Sequence, residues 1–171
     1  GKLPVPQQSG SGLAQYVGHK TEDSITWSDL DWLKSNTNLP IIIKGLQTYE
    51  DAKLALTHEI QGIIVSNHGG RQLDGSLSSI ECLPRIVDAV DDQIDILLDS
   101  GIRRGSDIVK SIALGAKAVL IGRPYIWGLG AFGKDGIIGV YNILIKEFLT
   151  TMKLIGCNDI NKLDHSFLED H

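Results

Sequence analysis

The residues best suited to chemistry in this sequence lie in one short segment, Ser66-Asn67-His68-Gly69-Gly70-Arg71-Gln72. The imidazole of His68 can accept or donate a proton near neutral pH. Arg71 follows three residues later, and its planar guanidinium is suited to binding a carboxylate through parallel hydrogen bonds. A proton acceptor beside a carboxylate-binding cation is the combination that chemistry on a small 2-hydroxy or 2-amino acid requires.

The neighbours of His68 favour a functional role over that of an ordinary core histidine. Arg71 lies close in sequence, and the two glycines leave space around the imidazole. Asp74 either pairs with Arg71 or caps the segment that follows it. The remaining histidines occur in polar or terminal stretches and are expected at the surface: His19, His58, His165 and His171. No spacing of Cys and His suits a metal site.

Two later segments combine glycines with arginines, as phosphate-binding loops do. They are Asp99-Ser100-Gly101-Ile102-Arg103-Arg104-Gly105 and Gly122-Arg123. Small residues let backbone N–H groups approach an anion, and Arg103 or Arg123 can neutralise it. A helix predicted to begin near Ser106 adds the positive end of its dipole. Gly-Arg pairs are common in turns, but two such clusters after successive apolar runs favour a phosphate site.

Four apolar runs precede these polar segments, and each is followed by a helical pattern. The predicted strands are 41–43, 62–65, 94–98 and 118–121, and the predicted helices are 49–57, 79–90, 106–114 and 134–154. Apolar runs without alternation are typical of parallel strands buried on both faces. The sequence therefore predicts an α/β protein of four consecutive βα units. Open parallel sheets and TIM barrels both place their sites at the carboxyl ends of the strands, so the alternation does not distinguish them.

Lys44 follows the first apolar run. Its ammonium group either extends into solvent or points into a site, where it would stabilise negative charge on a cofactor ring. Residues 1–25 are rich in Gly, Ser, Gln and Pro and are predicted to form a loop or flexible arm, with a helix beginning near Thr26. We expect residues 26–157 to form the βα units and residues 158–171 to form a C-terminal tail.

Composition narrows the possible partners. The net charge of −5 provides no basic surface for nucleic acid, and the apolar runs are too short to span a membrane. Cys82 and Cys157 are expected to be buried free thiols. The C-terminal Leu168-Glu169-Asp170-His171 differs from a peroxisomal ending, so we expect a cytoplasmic protein, and the sequence leaves peroxisomal and mitochondrial locations open.

Taken together, the polar segments resemble the FMN-dependent 2-hydroxy acid oxidases and dehydrogenases, the family of glycolate oxidase, lactate oxidase and the flavocytochrome lactate dehydrogenases. The matching pieces are Ile41-Ile42-Ile43-Lys44-Gly45, Ser66-Asn67-His68-Gly69-Gly70-Arg71-Gln72-Leu73-Asp74, Asp99 to Gly105 and Gly122-Arg123-Pro124. They occur in the family's order, and the resemblance runs from about Leu13 to about Cys157.

The resemblance implies the C-terminal half of a TIM (β/α)8 barrel with FMN at its C-terminal face. It implies oxidation of an (S)-2-hydroxy acid, such as glycolate or L-lactate, to the 2-keto acid. His68 would be the base for the 2-hydroxyl or the α-hydrogen, and Arg71 would hold the substrate carboxylate. The implied FMN contacts are Lys44 and Ser66 at the flavin ring, Asp99 at the ribityl chain, and Ser100, Gly101, Ile102, Arg103, Gly122 and Arg123 at the phosphate. The family usually has Gly at the position of Ser100, so Ser is tolerated there only if the backbone has no need for positive φ.

The resemblance also implies that the chain is incomplete. The family's flavin contacts from its first four strands, its substrate-binding tyrosines and the aspartate that orients the histidine have no counterpart here. We therefore expect a fragment, or a half that pairs with something else, which does not oxidise hydroxy acids alone; the full-length protein is expected to be a homo-oligomer. One alternative is another phosphate-binding barrel, such as an FMN isomerase or a nucleotide dehydrogenase, which would not need the carboxylate clamp. The other is an inactive FMN- or phosphate-binding half-barrel that acts through association.

Overall fold

The computed structural model describes residues 24–168, and the chain divides between Asn36 and Thr37 into two compact units. The described part of the first unit contains helix α1 (Trp27–Asn36). Thr26 starts this helix as predicted, since its backbone N–H and its hydroxyl both donate to the Asp29 carboxylate, at 2.6 and 2.8 Å. The predicted N-terminal arm lies almost wholly outside the described residues.

The second unit is an α/β structure of four consecutive βα units, which confirms the predicted architecture. In chain order they are β1 (Ile42–Leu46) with α2 (Tyr49–Thr57), β2 (Gly62–Val65) with α3 (Ser79–Val90), β3 (Asp95–Leu98) with α4 (Gly105–Ala113), and β4 (Ala118–Val119) with α5 (Arg123–Leu154). The strands pair in the order β1-β2-β3-β4, and every pairing is parallel. The carboxyl ends of all four strands therefore meet at one edge of the sheet.

One face of this sheet is clearly more buried than the other, whereas the apolar runs predict burial on both. Ile63, Val65 and Leu98 on the covered face are 0% exposed. Successive side chains of a strand point to opposite faces. On the other face Ile42 is 48% exposed, and Ile64 is partly exposed. An open sheet of four strands cannot close around its second face, so the prediction of burial on both faces was wrong.

Helix α3 shows how the sequence sets the local structure. Ser78 precedes it, and the Ser78 and Glu81 side chains form a reciprocal capping box at its first turn. Apolar residues recur along α3 at helical spacing, Cys82, Leu83 and Ile86 are buried, and the helix packs against α2 and against β2 and β3 of the sheet. The predicted bounds of α3 are therefore confirmed, as are those of α2 and β2.

Helix α5 begins at Arg123, eleven residues before the predicted start at Lys134. The helical conformation is interrupted at Phe132 and Gly133, and Gly133 has φ +60° and ψ −140°, a combination that glycine adopts most readily. The two parts of the helix touch where Gly128 faces Gly136, because a Cβ added to Gly136 would lie 1.9 Å from the Gly128 carbonyl oxygen. The first part of the helix was not predicted from the sequence, because this stretch is rich in glycine, which has a low helix propensity.

The segment after α5 packs onto the molecule through short 3-10 turns at Ile160–Lys162 and His165–Phe167. Leu163 and Cys157 are buried in a cluster with three residues of α4 and α5, namely Val109, Ala113 and Met152. Both cysteines are free and buried, as predicted. Residues 169–171 of the predicted tail lie outside the described part of the chain.

Candidate active site

Lys44, Ser66 and Asp99 form a hydrogen-bonded cluster at the carboxyl ends of β1, β2 and β3. Because Val65 pairs with Leu98 in the parallel ladder, Ser66 and Asp99 are the next residues on adjacent strands. The buried Ser66 hydroxyl donates to Asp99 Oδ1 at 2.5 Å and accepts from Lys44 Nζ at 3.0 Å. The same ammonium group lies 2.7 Å from Asp99 Oδ2. The strand register thus brings a cation, a hydroxyl and a carboxylate into direct contact.

A bulge at the end of β1 accompanies the placement of Lys44. The register of β1 against β2 shifts between Lys44 and Leu46, and Gly45 between them has φ +107°. That backbone conformation favours glycine, since a Cβ would be strained there. Because the Lys44 ammonium group bonds to Ser66 and Asp99, the structure supports the alternative in which this group points towards the site.

The Asp99 carboxyl remains charged well into the acid range. Partial burial acts to raise its pKa, but hydrogen bonds from Lys44, Ser100 and Ser66, together with the positive charge of Lys44, outweigh burial and hold the pKa below its ordinary value. At neutral pH the carboxylate therefore accepts hydrogen bonds and donates none.

His68 lies in a turn of unusual backbone conformation. His68, Gly69 and Gly70 have φ values of +59°, +70° and +72°, so three consecutive residues are left-handed. Histidine is one of the few non-glycine residues that is enriched in this region. The His68 N–H donates to Ser66 Oγ at 3.0 Å, and the Gly70 N–H donates to Asn67 Oδ1 at 3.1 Å. The conformation that presents the imidazole is thus held by the side chains of the two preceding residues, Ser66 and Asn67.

Two further residues support this turn, and the sequence analysis did not single them out. The N–H of Asn67 donates to the hydroxyl of Ser79, which is 1% exposed in the first turn of α3, at 2.9 Å. An Asn followed by two glycines is a common turn signal, which would have pointed to Asn67. Nothing in the sequence distinguishes Ser79. Asp74 accepts from the Gly75 N–H at 3.1 Å and so caps its own turn.

Ser100 was expected to be tolerated only if the backbone at this position has no need for positive φ, and the structure contradicts that condition. Its φ is +77°, in the region that favours glycine. Its hydroxyl makes two hydrogen bonds there: it donates to Asp99 Oδ1 at 2.6 Å and accepts from the Gly69 N–H at 2.9 Å. Gly69 is held at its carbonyl group as well, since the Arg123 guanidinium donates to the Gly69 carbonyl oxygen at 3.0 Å.

The predicted phosphate loops surround this cluster, with one difference from expectation. The N–H groups of Arg103 and Arg104 both donate to Asp107 Oδ2 at 2.8 Å, which caps the start of α4. The Arg103 amide is therefore already paired. Within residues 24–168, by contrast, the N–H groups of Gly101 and Gly122 have no hydrogen-bond partner. These two amides remain as backbone donors for an anion.

The side chain of Arg103 lies at the margin of the same region. Its guanidinium donates to the Ile102 carbonyl oxygen at 2.7 Å and stacks over the Trp127 ring, 5.2 Å from the ring centre. Trp127 belongs to the first part of α5, which precedes the predicted start of this helix at Lys134. The contact with Trp127 therefore helps to position Arg103. The sequence did not predict this contact, because the predicted helix begins at Lys134, after Trp127.

A single cleft of about 270 Å³ contains most of these groups. The predicted catalytic residues His68 and Arg71 line it and are exposed, and Lys44 and Asp99 line it with them. The predicted phosphate contacts Ser100, Gly101, Ile102, Arg103, Gly122 and Arg123 line the same cleft. The structure thus gathers ten of the predicted site residues, and the buried Ser66 lies directly behind them through its bonds to Lys44 and Asp99.

The donor set of this cleft fits the parts of FMN. Lys44, Arg103 and Arg123 supply positive charge, Gly101 and Gly122 supply backbone donors, and Asp99 supplies an acceptor for hydroxyl groups. A larger groove of about 430 Å³ lies against α4 and α5 and contains the Arg104–Glu147 ion pair, with no comparable grouping of a base and unpaired cations. Across residues 24–168, no cluster of three metal-ligating side chains occurs, and no helix has the length and apolar character to cross a bilayer.

Comparison with known proteins identifies the family. The family model for FMN-dependent dehydrogenases matches residues 3–170. The chain belongs to this family. The predicted family and its cofactor, FMN, are therefore confirmed.

Relatives and solved structures within the family agree with the fold. The chain is 47% identical to an L-lactate oxidase of Nostoc sp., over 97% of the chain and 46% of the relative, and 50% identical to a 2-hydroxyacid oxidase of Dictyostelium discoideum, over 99% and 43%. A solved (S)-mandelate dehydrogenase, described as a monotopic membrane protein, superposes with a TM-score of 0.87 at 40% identity, covering 92% of this chain and 42% of that one. The chain thus spans less than half the length of these relatives. The solved FMN-dependent relatives are TIM barrels, and the four βα units match part of such a barrel.

Proposed function

We propose that this chain supplies the substrate base, the carboxylate-binding residue and much of the FMN site for oxidation of small (S)-2-hydroxy acids to 2-keto acids. The observation that carries the proposal is the single cleft that His68 and Arg71 share with Lys44 and Asp99. Relatives named L-lactate oxidase and 2-hydroxyacid oxidase support the substrate class. The name 2-hydroxyacid oxidase also argues against the isomerase and nucleotide dehydrogenase alternatives.

In this proposal Arg71 binds the substrate carboxylate through its guanidinium and so fixes the 2-carbon of the substrate near His68. His68 in its neutral form accepts a proton from the 2-hydroxyl or from the α-carbon, and both routes are compatible with this geometry. FMN, when bound, accepts the two electrons that leave the substrate. The left-handed turn at residues 68–70 presents the imidazole without using its ring nitrogens to hold the turn.

The residues that would hold each part of FMN follow from the family resemblance, and their chemistry is compatible with these roles. Lys44 contacts the flavin ring, where its ammonium group stabilises negative charge, and the buried Ser66 lies behind it and accepts a hydrogen bond from that ammonium group. Asp99 accepts hydrogen bonds from ribityl hydroxyls. The phosphate is bound by the amides of Gly101 and Gly122 and by the guanidinium groups of Arg103 and Arg123, with Ser100 and Ile102 shaping the loop.

A second candidate function rests on the two edges of the sheet. Among the described residues β1 and β4 each pair with one strand only, so an FMN-binding half-barrel that acts through association is the competing proposal. Both candidates predict FMN binding, whereas only the first predicts a carboxylate site at Arg71. The decisive experiment therefore measures binding and does not depend on turnover.

The test is a titration of the chain with FMN, followed by pyruvate as a 2-keto acid product. We expect FMN fluorescence to be quenched on binding and the flavin absorbance to change again when pyruvate binds. Arg71→Met is expected to abolish the pyruvate effect and to leave FMN binding intact. Arg85→Met, at an exposed arginine of α3, is the matched control and should behave as wild type.

Two outcomes contradict the proposal. If FMN fails to bind, the chain does not provide the flavin site. If pyruvate perturbs the flavin equally in wild type and Arg71→Met, the carboxylate site lies elsewhere. A turnover assay with glycolate and L-lactate accompanies these titrations, and we expect no flavin reduction by the 171-residue chain alone.

A further inference from the structure

Gly69 is the residue at which the two predicted loops of the site meet. Its N–H donates to the Ser100 hydroxyl at 2.9 Å, and its carbonyl oxygen accepts from Arg123 at 3.0 Å. Gly69 itself directly follows His68, and both residues are left-handed. Any rotation of the peptide that joins His68 to Gly69 must therefore break the bond to Ser100.

Ser100 is suited to hold this peptide because its own hydroxyl has a fixed orientation. The hydroxyl hydrogen is directed at Asp99 Oδ1, at 2.6 Å, which leaves an oxygen lone pair for the Gly69 N–H. The Asp99 carboxylate is in turn fixed by Lys44 and Ser66. The chain of contacts thus runs from the strand ends, through Ser100, to the residue beside the base.

The backbone of Ser100 indicates that the side chain has a role of its own. At φ +77° a serine is strained and a glycine is not. A glycine at this position would relieve the strain but would leave the Gly69 N–H without its acceptor. The less favourable backbone conformation thus occurs together with two hydrogen bonds that only the serine hydroxyl can make.

We propose that Ser100 is a positioning residue, whose hydroxyl holds the Gly69 amide and thereby fixes the turn that presents His68. This inference rests on the proposed function only in assigning a base role to His68. The contact itself, and its effect on the turn, are properties of the chain without cofactor or substrate.

The test uses two variants that separate the hydroxyl from the backbone strain. Ser100→Gly removes both the hydroxyl and the strain, and Ser100→Ala removes the hydroxyl and keeps the strain. Amide hydrogen exchange of Gly69, measured by NMR, is expected to accelerate by about five-fold or more in both variants, as the loss of one hydrogen bond implies. The Leu114 amide, which bonds to the Lys110 carbonyl oxygen at the end of α4 and lies outside the turn, is the internal reference.

The His68 ring resonances provide a second measurement. In both variants we expect them to shift or broaden as the turn samples other conformations, whereas Ser106→Ala, a serine in the first turn of α4, should leave them unchanged. A purely structural role for Ser100 predicts a change in melting temperature that differs between the two variants, with unaltered Gly69 exchange in Ser100→Gly. That result would overturn the inference. Since no measurement requires FMN, failure of the flavin titration and failure of this test are distinguishable.

Discussion

At the scale of single residues, Asp99 is the group on which the site depends most. One carboxylate accepts hydrogen bonds from Ser66, Ser100 and Lys44, which come from or follow three different strands. Because the Asp99 side chain is only 19% exposed, solvent competes weakly for these contacts. The carboxylate therefore has two roles: it is a predicted ligand for FMN, and its hydrogen bonds connect the segments at the ends of β1, β2 and β3.

Replacing Asp99 with Asn should destabilise the fold by about 1–2 kcal/mol, because an amide oxygen cannot replace both carboxylate oxygens as acceptors. Asp95→Asn, at the start of β3, is the matched control, since Asp99 directly follows the same strand. Its partner Lys117 and Asp95 itself are both 58% exposed, so loss of that ion pair should change the stability much less. Urea unfolding at pH 7 measures both values, and equal costs would contradict the role assigned to Asp99.

The same carboxylate predicts a dependence on pH. The pKa of Asp99 in the folded chain lies below the ordinary value of 3.8. A group of this kind contributes stability that is fully present above the unfolded pKa and is lost as the pH falls through the folded pKa. The difference in unfolding free energy between wild type and Asp99→Asn should therefore be constant near neutral pH and narrow below about pH 4. A difference that widens in acid would show the opposite sign of coupling.

At the scale of secondary structure elements, close approach of backbones positions α4 and α5. A Cβ added to Gly105 would lie 2.0 Å from the Phe148 nitrogen, so α4 and α5 touch at a position where only glycine fits. Within α5 the same holds for Gly128 and Gly136, which meet across the interruption at Phe132 and Gly133. The first part of α5 carries Arg123 and Trp127. The contact between Gly128 and Gly136, which lies away from the site, therefore helps to position these two side chains.

This arrangement predicts opposite effects for two glycines of α5. Gly136→Ala should destabilise the fold by about 3 kcal/mol, since its Cβ would overlap the Gly128 carbonyl. Gly139→Ala should be neutral or stabilise by up to about 1 kcal/mol, because no atom lies within 4 Å of that Cβ and alanine favours a helix. Thermal unfolding of both variants provides the comparison. A mild effect at Gly136 would show that the two parts of α5 can separate without cost.

Element bounds were predictable from sequence where the signals were local. Helix α3 begins after a Ser78–Glu81 capping box, and β2 is a short apolar run that ends at polar residues. Helix α5 was mispredicted because its interruption and its helix–helix contact both use glycine, a residue that local propensity assigns to loops. The exposed second face of the sheet was also missed, since an apolar run indicates burial without indicating what covers it.

At the scale of the whole molecule, the cleft is built from all four βα units. Lys44 lies in β1 of the first unit. The other three residues come after strands: His68 follows β2, Asp99 follows β3 and Arg123 follows β4. The types of these residues and their places at strand ends were predictable from sequence. Their mutual contacts were not, because the bond from Ser100 to Gly69 and the stacking of Arg103 on Trp127 depend on backbone conformations that no local pattern specifies.

A ligand that contacts all four units should stabilise the sheet as a whole. FMN at one hundred times its Kd is expected to add about 2.7 kcal/mol and to raise Tm by roughly 5–10 °C, with a single unfolding transition. Riboflavin, which lacks the phosphate, should give a smaller shift at equal concentration. Arg123→Met should reduce the FMN shift towards that of riboflavin, and Lys110→Met on the exposed side of α4 should not. Equal shifts from FMN and riboflavin in the wild type would place the phosphate outside the cleft.

The order in which the chain is synthesised follows the order of the sheet, which has a consequence for assembly. Domains generally form from the N-terminal side as the polypeptide leaves the ribosome. Lys44, Ser66 and Asp99 can make their contacts once β3 has emerged, before any of α5 exists. The bond from Arg123 to Gly69 must wait for the last unit. The contacts of the Asp99 carboxylate can thus form earlier in synthesis than the Arg123 bond that completes the hydrogen bonding around the His68 turn.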